Sequence, residues 1–226
     1  MTRQLSSAPT RSPVGSVADL MGRAHALAVP GRRRLLGISG APGSGKSTLA
    51  AHVVAELGAV ARLVGMDGFH LSNDVLAGLG RTARKGAIDT FDAAGFVALL
   101  ERLRHPDGHV VYAPEFRREH EAAIGASVAV GPEVQLVVTE GNYLLATATP
   151  WGQIRSMLDE AWFCDPPDAL RVARLVARHV AYGKDPVAAR EWALGSDQRN
   201  ADVVAATRPA ADVIVRLPDD AFGTGG

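Results

Sequence analysis

A chain of 226 residues with 47% hydrophobic and 21% charged side chains is long enough for one α/β domain with a sizeable core and short for two. Lys plus Arg and Asp plus Glu balance at 24 each, so no global field recommends nucleic acid or an anionic membrane as partner, although a local basic site needs only a few well-placed cations. Cys164 is the only cysteine, which excludes an internal disulfide and a Cys-rich metal site, and no stretch approaches the apolar length that crosses a bilayer.

The first 15 residues carry Arg and Ser without acids, faintly like an organelle transit peptide, but no apolar signal core follows. They read as a disordered tail, with the cytoplasm as the default compartment. Residues 17–28 have helical spacing of apolar positions and end near Pro30-Gly31. Residues 35–38 read as a short buried strand, followed by a glycine-rich turn and a helix over 46–57. A second strand over 61–66 runs into Asp67, and 68–92 read as a loop-rich excursion with one short helix. An amphipathic helix covers 93–104 and stops at Pro106-Asp107-Gly108, with a candidate strand at 109–113. The run 134–139 is continuous and β-branched, which predicts a strand in the centre of the sheet. A helix over 151–158, a strand over 160–164, helices over 169–182 and 186–205, and a closing strand over 212–217 complete the order, with 218–226 as a frayed end. Alternating strands and helices predict one three-layer α/β/α domain over 16–217 with a mainly parallel central sheet, and the pattern G-x-x-x-x-G-K-[ST] at 40–47 places it in the P-loop NTPase class.

Gly40-Ala41-Pro42-Gly43-Ser44-Gly45-Lys46-Ser47 fits G-x-x-x-x-G-K-[ST] between a strand and a helix, with Thr48 next. Glycines let the backbone curl so that successive N–H groups point at phosphate oxygens, and the helix adds its positive end to the same place. Lys46 is expected to reach the β- and γ-phosphates of ATP, and the Ser47 hydroxyl to ligate Mg²⁺. From this composition the four fixed positions co-occur by chance in about a few chains per thousand. Lysine is scarce, confined to Lys46, Lys85 and Lys184. Its retention in this loop is informative, because Arg and Lys are not interchangeable at a compact phosphate site.

Two carboxylates stand at predicted strand ends, the edge where parallel sheets bind ligands. Asp67 in Met66-Asp67-Gly68-Phe69-His70 could accept the proton of an attacking hydroxyl or orient it, and the alternative is a carboxylate capping a turn. Phe69 and His70 are weaker candidates for touching substrate. Glu140, directly after 136–139, could ligate Mg²⁺ or hold substrate, with Asn142 and Tyr143 over the same edge. Arg171, Arg174 and Arg178 share one helical face. Such a face is ordinarily solvated. Its place late in the fold makes 168–185 a candidate lid, with Arg174 and Arg178 closing over the transferring phosphate.

The ordered set GISGAPGSGKST, MDGFH, KGAIDTFD, YAPEFRR, VVTEGNYLL, WFCD and RLVARH resembles the phosphoribulokinase–uridine kinase–pantothenate kinase family over about residues 20–217, and within it the nucleoside/nucleotide kinase-like or fructose-transport-associated branch. The resemblance implies ATP, Mg²⁺, a lid and transfer to a substrate hydroxyl. It implies Asp67 as the catalytic aspartate and Glu140 as the acid ending the Walker B strand. It places Tyr112, Phe116 and Arg117 where relatives bind the acceptor, Lys85, Asp89 and Asp92 in the stretch resembling Gly-x-x-x-Thr-Phe-Asp, and makes a homodimer a fair expectation. The sequence Pro-Glu-Phe-Arg-Arg departs from the Tyr/His pattern of uridine and pantothenate kinases, so the acceptor is left open among sugars, nucleosides and pantothenate-like compounds. The expected catalytic residues are Lys46, Asp67 and Arg174. The rival reading is a regulatory P-loop ATPase without a small-molecule acceptor; the absence of Asn-Lys-x-Asp weakens its GTPase form.

Overall fold

The computed structural model describes residues 13–219 and 221–222. In chain order the elements are α1 (Val17–Leu27), β1 (Arg34–Gly40), α2 (Lys46–Leu57), β2 (Ala61–Gly65), α3 (Asn73–Gly78), α4 (Ala93–Arg104), β3 (Val111–Arg117) and β4 (Ala122–Val130). They continue with β5 (Leu136–Gly141), α5 (Ile154–Met157), β6 (Glu160–Cys164), α6 (Asp168–Ala181), α7 (Pro186–Leu194), α8 (Ser196–Ala205) and β7 (Val213–Val215).

Five strands form one parallel sheet in the order β2-β5-β1-β6-β7. β5 is interior and buried along its whole length, as its apolar run predicts, but the central position belongs to β1. Strand alternation divides the core into two layers. Leu35, Val137, Ala161 and Phe163 face a cluster built on Phe96, Leu100 and Leu103 of α4. Leu36, Ile38, Val138 and Trp162 face Leu20 and Met21 of α1 and Leu49 and Val53 of α2. The register carries the consequence for the site. Gly65 pairs with Glu140, and Ile38 pairs with Glu140 from the other side. The loop after β1 and the turn after β2 therefore leave the sheet on either side of Glu140.

Several boundaries differ from the sequence reading. Residues 1–12 of the expected tail lie outside the described residues. Val14 joins the sheet edge, donating to Ile214 O at 2.8 Å and accepting from Arg216 N at 3.0 Å. At the other end, Asp219 and Phe222 contact Arg174 and His52, so the end described as frayed packs on the domain as far as residue 222. The strand placed at 109–113 is not in the main sheet. It forms β3, paired antiparallel with β4 in a separate hairpin. β4 escaped detection because AAIGASVAV is small and largely exposed, with no alternation to read. The single helix expected over 186–205 breaks at Gly195, whose N–H turns back to Glu191 O at 2.8 Å.

Arg33, just before β1, is 5% exposed and holds the far end of the domain together. Its guanidinium donates to Val134 O at 3.0 Å, to Leu103 O at 3.5 Å and to Gly131 O. Three loop carbonyls from α4 and the β4–β5 connection converge on one side chain. Replacing it by an apolar residue removes the guanidinium from all three, Gly131 O alone keeping a donor among the described residues in Val134 N–H, at a cost of about 3 kcal/mol. Arg33→Met is expected to lower the urea midpoint accordingly while leaving nucleotide affinity unchanged, since Arg33 lies at the opposite end of β1 from the glycine-rich loop.

Candidate active site

The loop from Gly40 to Lys46 turns around the carboxyl end of β1. Gly43 adopts φ +80°, and a Cβ there would lie 2.6 Å from Arg171 O and 2.7 Å from Leu175 Cγ. The positive φ and the close seat of α6 both require glycine. Arg171 seals this contact, donating to Asp168 Oδ1 at 3.0 Å, to Pro42 O at 3.4 Å and to Gln198 Oε1. It is 3% exposed, so this member of the arginine face is a structural tie and not a solvated charge. Inside the loop, Ser44 Oγ is buried with no hydrogen-bond partner among the described residues, a donor whose chemistry fits a phosphate oxygen.

Glu140 ends β5 at 8% exposure and accepts from Ser47 Oγ at 3.2 Å. Burial pushes its carboxyl above the usual carboxylate range; the Lys46 ammonium and the Ser47 hydroxyl work against that, and Asp67 adds to it. No cluster of three His, Cys, Asp or Glu side chains that could hold a metal occurs among the described residues. A Mg²⁺ held by one hydroxyl, one carboxylate and the nucleotide's own phosphates needs none, and Ser47 with Glu140 fits that donor set.

Asp67 lies in the 3₁₀ turn Met66–Phe69 that follows β2. Gly68 lets this turn pass under the hairpin, since a Cβ there would meet Pro114 O at 2.5 Å. Arg118 Nη2 stands 3.8 Å from Asp67 Oδ2. His70 donates from Nδ1 to Asp67 O at 2.8 Å, which turns Nε2 outward as the acceptor of the neutral ring. Burial lowers the His70 pKa, and the ring is wedged against Phe91 and Phe116.

Two cavities open at this edge of the sheet. The first, about 460 Å³, is lined by Gly43, Ser44, Gly45 and Thr48, by Arg174, and by Pro218, Asp219 and Phe222. The second, about 410 Å³, is lined by Pro42, Asp67, His70, Phe116 and Asn142 and, farther along, by Lys85, Tyr182, Lys184, Trp192 and Asp197. Lys46, Ser47, Arg118 and Arg178 line both. Gly40 and Ala41 sit beneath the loop and line neither.

Most expected site residues converge here, and three do not. Phe69 packs on Phe96 at 5.1 Å between centroids and belongs to the core. Tyr112 is 57% exposed and points to solvent. Arg117 pairs with Glu115 at 2.8 Å and with Glu119 at 3.8 Å, away from both cavities. For Tyr112 the reason is a change of phase in the strand beside a register shift between Ala113 and Glu115; Arg117 follows Phe116 and so faces the other way. Val111 and Ala113 face inward before it, Pro114 and Phe116 after it, and the bulge exchanges the two faces of the strand. The even positions therefore continue inward to Arg118, which sequence reasoning passed over in favour of its neighbour. A doubled Arg-Arg gives no sign of which member faces the site.

Arg174 lines the first cavity and is bound by Asp219, with Nε at 3.0 Å. The Arg178 guanidinium is held below its ordinary pKa by burial and by nearby Arg118. Asn142 accepts from Ser39 Oγ through its backbone oxygen at 3.2 Å, while its side-chain Oδ1 is buried without a partner among the described residues.

No family model matches the chain. An ATP-dependent kinase-like protein of Aspergillus versicolor is 36% identical over 152 residues, covering 63% of this chain and 88% of that one. A protein of Schizosaccharomyces pombe described as a candidate uridine kinase is 31% identical over 197 residues, covering 83% of each chain. The crystal structure of a candidate fructose transport system kinase from Silicibacter superposes with a TM-score of 0.78 at 38% identity, covering 90% of this chain and 98% of that one.

Gly43→Ala tests the loop geometry directly. The added methyl must displace either the Arg171 carbonyl or the loop, and nucleotide affinity measured by titration calorimetry is expected to fall about tenfold or more with the fold retained by circular dichroism.

Proposed function

This chain belongs to the uridine kinase-like and phosphoribulokinase-like P-loop kinases, and on that premise we propose that it transfers the γ-phosphoryl group of Mg·ATP to a hydroxyl of a small-molecule acceptor. The observation that carries the reading is the junction of the two cavities at Lys46, Ser47, Arg118 and Arg178. ATP occupies the first cavity with its phosphates in the glycine-rich loop, and the acceptor occupies the second. The wall between them is made of three cations and a hydroxyl, the groups that stabilise a transferring phosphoryl. Mg²⁺, held by Ser47 and Glu140, supplies charge neutralisation when bound.

In this reading Asp67 faces the acceptor hydroxyl from the second cavity. The hydroxyl oxygen forms a bond to the γ-phosphorus, the bond from that phosphorus to the bridging oxygen breaks, ADP leaves, and the hydroxyl proton passes to the Asp67 carboxylate. Arg118, 3.8 Å from that carboxylate, contributes charge at the same junction. A regulatory ATPase without an acceptor has no use for a second cavity lined by a carboxylate, a neutral histidine and aromatic rings.

The test is ADP release with Mg·ATP against sugars, nucleosides and pantothenate, with Lys46→Ala as control. Acceptor-stimulated turnover lost in the control supports the kinase; slow hydrolysis that no acceptor accelerates overturns it. Asp67→Asn is expected to lower kcat about 100-fold with ATP affinity nearly unchanged. The arginine pair gives a sharper comparison. Arg118→Ala is expected to lower kcat/KM for the acceptor by about tenfold or more, whereas Arg117→Ala leaves it within twofold. Equal effects of the two changes contradict the inward assignment of Arg118.

A further inference from the structure

Lys plus Arg number 24, and only three of them are lysines: Lys46, Lys85 and Lys184. All three line the acceptor cavity. The chain uses arginine almost everywhere else, so its compact ammonium groups are gathered at one place.

The charges in this cavity are unevenly answered. Asp197 is taken by His179 Nε2 at 2.7 Å and Asp67 by Arg118. Glu121 stands 3.8 Å from Lys85 Nζ, which also donates to Asn73 Oδ1 at 2.8 Å and to Glu121 O at 2.9 Å. Lys46, Arg178 and Lys184 have no carboxylate in ion-pair contact among the described residues. Lys46 and Arg178 also line the nucleotide side, where ATP phosphates answer them. Lys184 lines the acceptor side alone.

Its placement is fixed and not incidental. α6 closes with Gly183 at φ +89°, Gly183 N donating to Val180 O at 2.9 Å and Lys184 N to His179 O at 3.0 Å. Asp185 then caps α7 through Val187 N at 2.9 Å. Lys184 is thus held between two caps, and its ammonium rests 4.6 Å from the centroid of the Trp192 ring. An aromatic backing steadies a cation without neutralising it.

We infer that the acceptor is itself an anion, a hydroxyl compound bearing a carboxylate or a phosphate, and that Lys184 binds that group at the end of the cavity away from the reacting hydroxyl. This rests on the kinase reading above and narrows it. Lys184 is exposed at the rim of the cavity, and a neutral sugar or nucleoside offers its charge no partner there.

Matched acceptors test it: glycerol, glycerate and glycerol 3-phosphate; ribose and ribose 5-phosphate; panthenol and pantothenate. An anionic member is expected to exceed its neutral partner in kcat/KM by about tenfold or more, and whether carboxylates or phosphates lead identifies the group. Lys184→Gln is expected to raise the KM of that acceptor about tenfold or more, with the KM for ATP within twofold and partial recovery in Lys184→Arg. Equal turnover of neutral and anionic partners, or a Lys184→Gln effect confined to ATP, overturns the inference and leaves the kinase standing. Absence of turnover with every compound instead counts against the kinase reading. The inference is then decided by binding, since glycerate, pantothenate or a phosphate ester must still raise the Tm of the Mg·ADP complex in the wild type and not in Lys184→Gln; no shift in either protein overturns it.

Discussion

A carboxylate buried at the end of an interior strand costs several kcal/mol unless something answers it. Glu140 is answered from the glycine-rich loop: Ser47 donates to it, and the Lys46 ammonium stands near enough to oppose its desolvation. The arrangement exists because β5 pairs in register with both β1 and β2. That double pairing sends the loop to one side of Glu140 and Asp67 to the other. Two carboxylates and a lysine are thereby brought together by strand register, before any loop conformation is chosen. The sheet's hydrophobic pairing holds these charges in proximity, and the nucleotide reading follows from their proximity.

Helix α6 shows how one periodic face can serve unequal purposes. Arg171, Arg174 and Arg178 recur at helical spacing, yet each meets a different depth of the molecule. Arg171 enters beneath the loop and is consumed by Asp168, Pro42 and Gln198. Arg174 reaches the nucleotide cavity and is held by Asp219. Arg178 stands at the junction. Burying Arg171 is tolerable because its donors are satisfied, and it joins the loop, α6 and α8 into one unit. Motion of this helix as a lid therefore has to carry the Arg171 contacts with it or break them, which favours movement of its C-terminal half around Arg178 and Lys184.

The nucleotide side was legible in the sequence for a physical reason. Its residues lie within a few positions of strand ends, and strand ends can be read from apolar runs. Lys46 and Ser47 were picked out by the glycine-rich motif, Asp67 and Glu140 by the apolar runs that precede them, and the structure brings the four to one edge of the sheet. The acceptor side is assembled from the 68–92 excursion, the hairpin and the helices after β6, where contacts depend on local irregularity. The hairpin register shifts by two residues between Ala113 and Glu115, the exposed face of β3 changes phase there, and no propensity marks it. Tyr112 and Arg117, placed with the acceptor by resemblance, both lie on the outer face of the hairpin, and Arg118 was passed over. Phe69 was misread because an aromatic beside a catalytic turn looks the same whether it packs on Phe96 or lines a cavity. The pairing of Asp197 with His179 and the exposed small-residue strand β4 are likewise outcomes of packing between distant segments.

The same division explains where lysine was kept. Guanidinium groups at Arg33 and Arg171 bind several carbonyl or carboxylate oxygens at once, a task for a planar fork with fixed donors. Among the three lysines Lys85 alone bridges in this way, between Asn73 and Glu121, with two partners where Arg33 and Arg171 each hold three. Each brings a compact charge to the cavity wall, Lys46 from the loop, Lys85 from the excursion after β2 and Lys184 from the α6–α7 turn. Three segments distant in sequence therefore deliver the same chemical group to one space, while the chain uses arginine for its remaining cations. A solvated surface imposes no such sorting between two residues of equal charge. The placement of the lysines therefore says more about the chemistry of this space than the fold does.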